Sequence, residues 1–149
     1  MLPKPTTKKD KADRRNNVLG YRKEQMKEAW LLDKDTNVSP LALYWKQDFG
    51  KTWDYTFIDA PHHIAGRDST GKYDGIEWLI SLSRLEHRMC EDGCKPLQLT
   101  GNEYMYLLLW LLRDKPNNRW SEARAFVGKK ITKKRIKEIE KLGETLCPQ

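Results

Sequence analysis

The chain has 149 residues, which suits one domain with a modest core and argues against two large independent domains. With 28 Lys and Arg against 21 Asp and Glu, its formal charge is +7, which favours a polyanionic partner. An odd number of cysteines, three, and no signal peptide argue against a disulfide framework and predict a cytoplasmic location. The most apolar run, 104–112, is about half of the ~20 residues that a membrane span needs, so we expect no membrane partner.

The N-terminal segment, residues 1–17, is basic and almost without apolar side chains, which predicts a mobile arm. Such an arm either contacts DNA phosphates or is a solvated tail. From Val18 to Leu32, apolar residues recur at helical intervals between charged ones, which predicts an amphipathic helix. Ser39-Pro40 is a helix start signal, and it predicts a short helix that ends near Gly50.

The middle of the chain alternates strand and turn signals. Aromatic and β-branched residues alternate over Thr52–Ile58, which predicts a strand. Three glycines within 66–75 predict a loop, and Ile76–Leu82 can return as a second strand. Ser83 is then suited to cap a helix over Arg84–Asp92 that Gly93 terminates.

The last third of the chain has helical patterns throughout. Thr100 can cap a helix over Asn102–Leu112 that is apolar nearly all round and therefore expected in the core. A short helix over Ser121–Val127 and a longer one after Thr132, stopped by Gly143, complete the pattern. The last helix has a basic face, which is either a solvated surface or a contact for a phosphate backbone. The residues of this face that we assign to nucleic acid are Lys133, Lys134, Arg135 and Lys137.

All three histidines fall between residues 62 and 87, which makes this stretch the main functional signal. His62 and His63 follow the first predicted strand, and His87 lies on the helix with Glu91 one turn later on the same face. Imidazoles serve as metal ligands or as bases near neutral pH, and a carboxylate is a further ligand for a divalent ion. The strand, loop, strand and helix order is that of a small ββα metal finger.

Here the sequence resembles the HNH nucleases, also called His-Me finger nucleases, over about residues 57–93, and the motif His-His-Ile-x-Gly-Arg is similar to that of phage-encoded members. The resemblance implies that His63 is the general base and that His62 and His87 are metal ligands, with Glu91 as a third. It implies one divalent ion (Mg²⁺, Mn²⁺, Ni²⁺ or Zn²⁺), a DNA substrate, and the host cytoplasm if the protein is phage-encoded. Arg67 can offer a forked donor to a phosphate or be a surface arginine.

Two positions depart from the pattern of the family. Its central Asn, which helps to orient the base, corresponds to Trp78, so either a backbone carbonyl replaces it or the site is impaired. Its final His corresponds to Glu91, a change that can alter metal preference. On the metal helix, Arg84 and Arg88 either flank the DNA or form salt bridges to Glu86 or Asp92.

The expected fold is α+β and mostly helical, with a ββα-metal finger at about 52–93 embedded among helices. We expect a basic arm over 1–17, one domain over 18–149, and a helical C-terminal part over 100–146. The expected function is metal-dependent DNA cleavage; the alternatives are a non-catalytic nucleic-acid-binding or regulatory protein with a degenerate finger, and a helical interaction protein. A closed zinc site of His87, Cys90, Cys94 and Cys147 is a rival interpretation.

Overall fold

A computed structural model describes residues 8–34, 41, 44, 61–67, 70–115 and 118–146, with side chains from residue 17 onward. The described part is mostly helical, with one small antiparallel sheet, and this confirms the α+β prediction. Its elements are helix α1 (Lys8–Asp33), strand β1 (His62–His63), a 3-10 helix (Ile76–Trp78), strand β2 (Leu79–Ile80), and helices α2 (Arg84–Asp92), α3 (Gly101–Leu111), α4 (Ser121–Gly128) and α5 (Lys133–Leu146).

Helix α3 is the centre of the core. Every residue from Glu103 to Leu111 is buried, and α2, α4 and α5 all pack against this helix. Its start is fixed by a capping box, in which the Thr100 hydroxyl accepts from the Glu103 amide and the Glu103 carboxylate accepts from the Thr100 amide. A helix that is apolar on all sides is stable only when neighbours cover all of it, as they do here.

A buried ion pair joins the end of α1 to the sheet and to the start of α4. The Asp33 carboxylate accepts from Arg119 Nη1 and Nη2 at 2.8 and 2.9 Å, and from the Ser81 amide at 2.9 Å. Asp33 is fully buried. The Leu79 carbonyl accepts from the Trp120 indole at 2.7 Å, which ties β2 to the same end of α4.

The two strands form a short hairpin with a long loop. His62 pairs with Ile80, and His63 pairs with Leu79. The Ile64 amide donates to the Trp78 carbonyl at 3.0 Å, which extends the pairing by one bond. Gly66 and Gly71 have φ of +79° and +73°, a conformation that favours glycine, so the loop depends on both.

Helix α2 starts and ends where the sequence predicts. The Ser83 hydroxyl accepts from the Glu86 amide at 3.3 Å, and Gly93 ends the helix with φ of +95°. The chain then turns tightly into α3. A Cβ atom on Gly101 would overlap the Cys90 carbonyl oxygen, and one on Gly93 would lie 2.9 Å from the Leu99 carbonyl oxygen. The end of α2 therefore lies directly against the start of α3.

The structure confirms the loop at its described residues, 66–67 and 70–75, and it confirms helices α2 and α4. It also confirms the helix capped by Thr100 to within one residue at each end. It also corrects three predictions. Helix α1 begins at Lys8, ten residues before the predicted start, because Lys, Ala and Arg, which predominate at 8–15, have high helix propensity. Residues 76–78 form a 3-10 helix instead of strand. Helix α5 continues through Gly143, which is buried against Trp110.

The predicted strand over Thr52–Ile58 lies outside the described residues, as does most of the helix predicted after Ser39-Pro40. Within the described part of the chain, no helix has both the length and the apolar character that crossing a bilayer requires.

Candidate metal centre

Strand β1 and helix α2 bring two histidines and a carboxylate together. The rings of His62 and His87 meet edge to face, with centroids 4.9 Å apart. His87 Nε2 lies 3.3 Å from Glu91 Oε1, the pair that the i, i+4 spacing predicts. One ligand atom from each of the three residues lies within 4.8 Å of the other two. The three residues that the sequence assigns to a metal therefore form one cluster.

The donor set is suited to a divalent cation. Two imidazole nitrogens and one carboxylate oxygen are typical of catalytic sites, in which three protein ligands leave a position open for water or substrate. Both histidines are half-buried, while Glu91 is exposed. Burial, together with the neighbouring His87 and His63 rings, lowers the pKa of His62 to about 4. The His62 ring is therefore neutral at pH 7, which is the form that binds a metal.

His63 points into the protein. Its relative exposure is 9%, and both ring nitrogens are shielded from solvent and without a hydrogen-bond partner among the described residues. Its Nδ1 lies 3.8 Å from Asp74 Oδ1. Burial lowers the pKa of His63, the Arg67 guanidinium lowers it further, and the Asp74 carboxylate acts in the opposite direction.

Asp74 is a site residue that the sequence did not reveal. It is fully buried, and its Oδ2 accepts from Arg22 Nε of α1 at 3.0 Å. In the sequence it stands among glycines in a loop, where aspartate is an ordinary turn residue. Its separation from His63 by 11 positions and from Arg22 by 52 gives no local pattern to recognise.

Trp78 stands at the position where the resemblance places an orienting side chain. Its ring instead packs against Tyr73 and Phe126, with centroids 4.7 and 5.6 Å away. Its backbone carbonyl accepts from the Ile64 amide, next to His63. Trp78 therefore supports β1 through its backbone, while the carboxylate of Asp74 lies nearest to the His63 ring.

The arginines for which the sequence suggests phosphate contacts are on the loop after β1 and on α2. Arg67, Arg84 and Arg88 are all exposed, and among the described residues none of them forms an ion pair. Of the two alternatives for Arg84 and Arg88, the salt bridges to Glu86 or Asp92 are therefore not formed. Both guanidinium groups are available to an anion.

The basic residues of α5 also divide into two groups. Lys133, Lys134 and Lys137 are exposed. Arg135 donates from Nε to Glu103 at 2.7 Å and from Nη1 to Glu138 at 2.5 Å. Because its guanidinium already binds two carboxylates, Arg135 serves to hold α5 on the start of α3.

The rival zinc site is not assembled in the described part of the chain. Cys90 is half-buried, Cys94 is buried, and both are free thiols. Burial raises the pKa of the Cys90 thiol well above its usual range and also raises that of Cys94, which disfavours the thiolate form that zinc binds. His87 lies instead beside His62 and Glu91, with the ligand atoms of the three residues within 4.8 Å of one another. Cys147 lies outside the described residues.

Comparisons with known proteins give no assignment: no protein-family model, curated protein or solved structure matches this chain.

Proposed function

We propose that this protein is a metal-dependent endonuclease of the HNH type, which hydrolyses phosphodiester bonds in DNA. The observation that carries the proposal is the cluster of His62, His87 and Glu91, with His63 next to His62 on the same strand. The local topology supports it, since an antiparallel strand pair is followed by a helix that bears two of the three ligands. We assign residues 62–67 and 70–93 as the described part of a ββα-metal finger.

The three clustered residues would hold one divalent ion: Mg²⁺, Mn²⁺, Ni²⁺ or Zn²⁺. When bound, the ion supplies positive charge for the phosphate oxygens and for the departing 3′ oxygen. Glu91 provides the oxygen ligand that Mg²⁺ and Mn²⁺ prefer, and the two imidazoles provide the nitrogens that suit Zn²⁺ and Ni²⁺. The donor set therefore fits a divalent ion without selecting one.

His63 is the proposed general base. It accepts a proton from a water molecule whose oxygen attacks phosphorus, and the bond from phosphorus to the 3′ oxygen breaks. A positioned base contributes roughly 10²–10⁴-fold to such a step. The neutral ring that burial favours is the form that can accept this proton. Because both ring nitrogens are shielded, the step requires water to gain access to the His63 ring when substrate binds.

The exposed arginines near the cluster are the proposed phosphate contacts. Arg67 lies close enough to His63 to affect its pKa, so a phosphate bound by Arg67 is near the base. Arg84 and Arg88 lie on the metal helix, and Lys133, Lys134 and Lys137 extend the basic surface on α5. Such contacts are independent of base sequence and weaken steeply with salt.

A second candidate function is non-catalytic binding of nucleic acid by a degenerate finger. The shielding of both His63 ring nitrogens favours it, because a base that water cannot reach does not act. The exposed lysines of α5 would serve such a protein equally well. The two candidates differ in one measurable respect, which is cleavage.

The test is nicking of supercoiled plasmid by the full chain with each of the four metals. We expect His63→Ala to abolish nicking and to leave the dissociation constant for DNA unchanged. Calorimetric titration with Mn²⁺ should show one site in the wild type and none in Glu91→Ala. Asp92→Ala is the matched control, because it removes the adjacent exposed carboxylate, which is outside the cluster. Metal-independent nicking equal in wild type and His63→Ala would refute the enzyme, and binding without cleavage would establish the second candidate.

A further inference from the structure

The two oxygens of the Asp74 carboxylate face different partners. Oδ2 accepts from Arg22 Nε at 3.0 Å, whereas Oδ1 lies 3.8 Å from His63 Nδ1. Oδ1 has no hydrogen-bond partner among the described residues, and the same holds for both ring nitrogens of His63. A fully buried carboxylate oxygen therefore has an imidazole nitrogen as its polar neighbour.

The position of Arg22 is fixed by the rest of α1. Three residues further along this helix, Gln25 Oε1 accepts from the Ile76 amide at 3.0 Å. At the end of the helix, Asp33 accepts from the Ser81 amide at 2.9 Å. These contacts span both sides of the segment that contains β2, so α1 cannot shift along the hairpin without breaking them. Arg22 consequently presents its guanidinium to Asp74 from a fixed element.

We propose that Asp74 is a positioning residue that holds His63 as the tautomer with its proton on Nδ1, and that Arg22 fixes Asp74 for this role. An ionised carboxylate can only accept, so the nitrogen that faces it must be the donor. The lone pair is then on Nε2, which becomes the basic nitrogen. A distance of 3.8 Å exceeds a hydrogen bond, and a ring movement of about 0.8 Å would reach the usual ~3.0 Å. The catalytic part of this inference rests on the proposed function.

Asp74→Asn tests the assignment with almost no change in volume. Arg22 is a donor only, so it selects the amide oxygen and turns the amide NH₂ toward His63. Nδ1 must then accept, which moves the proton to Nε2. The same substitution in the buried Asp–His pair of a serine protease lowers kcat about 10⁴-fold through the wrong tautomer. We expect nicking to fall roughly 10²–10⁴-fold while DNA affinity is unchanged.

The decisive measurement is the tautomer itself. ¹⁵N NMR of histidine-labelled, metal-free protein at about pH 8.5, where neutral rings dominate, distinguishes a protonated Nδ1 from a protonated Nε2. His63→Gln identifies the signals of His63 by their loss. We expect the Nδ1–H form in the wild type and the Nε2–H form in Asp74→Asn. The matched control is Glu103→Gln, which changes another arginine-paired carboxylate away from His63 and should leave the tautomer unchanged.

A second variant keeps the test independent of the first. Asp74→Asn combined with Arg22→Met frees the amide to rotate, so part of the Nδ1–H form and part of the nicking rate should return. An Nε2–H wild type would overturn the inference, and so would an unchanged tautomer in Asp74→Asn. If wild-type protein does not nick DNA but the tautomer behaves as stated, the proposed function fails and the positioning role stands. If nicking depends on His63 but the tautomer of His63 is the same in wild type and Asp74→Asn, the proposed function stands and the positioning role fails.

Discussion

Replacing Asp33 by asparagine should destabilise the protein strongly, because it removes the buried negative charge that pairs with the largely buried Arg119. The Arg119 side chain is only 12% exposed, and it loses the ionised partner of two hydrogen bonds at 2.8 and 2.9 Å. Breaking a buried pair from one side costs about 3–5 kcal/mol. Arg119 keeps the carbonyl oxygens of Ile76 and Leu79 as acceptors. We therefore expect the lower end, about 3 kcal/mol.

The assay is urea unfolding followed by far-UV circular dichroism. For a chain of 149 residues we take a denaturant dependence of about 2 kcal/mol per molar urea, so the midpoint should fall by roughly 1.5 M. Glu24→Gln is the control, since Glu24 is an exposed carboxylate on the same helix. A fall for Asp33→Asn of less than about 0.3 M, no larger than that of the control, would show that this ion pair contributes no net stability.

Three further predictions concern packing, pH and metal. Gly143→Val should lower the free energy of unfolding by about 1–3 kcal/mol, because its Cβ would lie 2.7 Å from Trp110 Cζ3. Gly20→Ala should raise the free energy of unfolding by about 0.5–1 kcal/mol, because the new Cβ has nothing within 4 Å. Equal effects of the two variants in urea unfolding would contradict this. The hydrogen bond from Arg135 lowers the pKa of Glu103 below its usual 4.5. Between the unfolded and folded pKa of Glu103, the unfolded chain binds more protons than the folded protein. The stability that Glu103 contributes is therefore present above pH 4.5 and is lost as pH falls through the folded pKa. The difference in free energy of unfolding between wild type and Glu103→Gln should become smaller from about pH 6 to about pH 3. A difference that grows over this range would contradict the lowered pKa of Glu103. Mn²⁺ at about 100 times its dissociation constant should add about 2.7 kcal/mol, or roughly 5–11 °C in Tm. A chelator should reverse the gain, and His87→Ala should abolish it; a gain retained in that variant would place the ion elsewhere.

The parts of the fold that could be predicted from sequence are those with local causes. Ser83 and Gly93 bound α2, and Thr100 caps α3, because caps and terminators act within a few residues. The pairing of His87 with Glu91 is likewise a property of one helical turn. The expectation that His62 joins them depends on the resemblance to a family, and in the structure the three side chains do lie together.

The parts that could not be predicted depend on contacts between distant segments. Asp74 has the composition of a turn residue, and its role becomes visible only when Arg22 and His63 are placed on either side of it. Gly143 has the pattern of a helix stop, but Trp110 needs the space that a side chain would fill, so the glycine is kept inside the helix. The sequence pattern places Arg135 on a basic helix face, which suggests a DNA contact. In the structure, the packing of α5 on α3 places Glu103 beside Arg135, and the two form an ion pair.

The tight turn from Gly93 to Gly101 determines how this centre could be moved to another scaffold. A designer who transplanted only the span from His62 to Glu91 would leave the end of α2 without the helix start against which it lies. No residue larger than glycine fits at Gly101, so a new scaffold must also have a glycine where it contacts the end of α2. The smallest portable unit therefore runs to Gly101, and it needs in addition a donor that replaces Arg22.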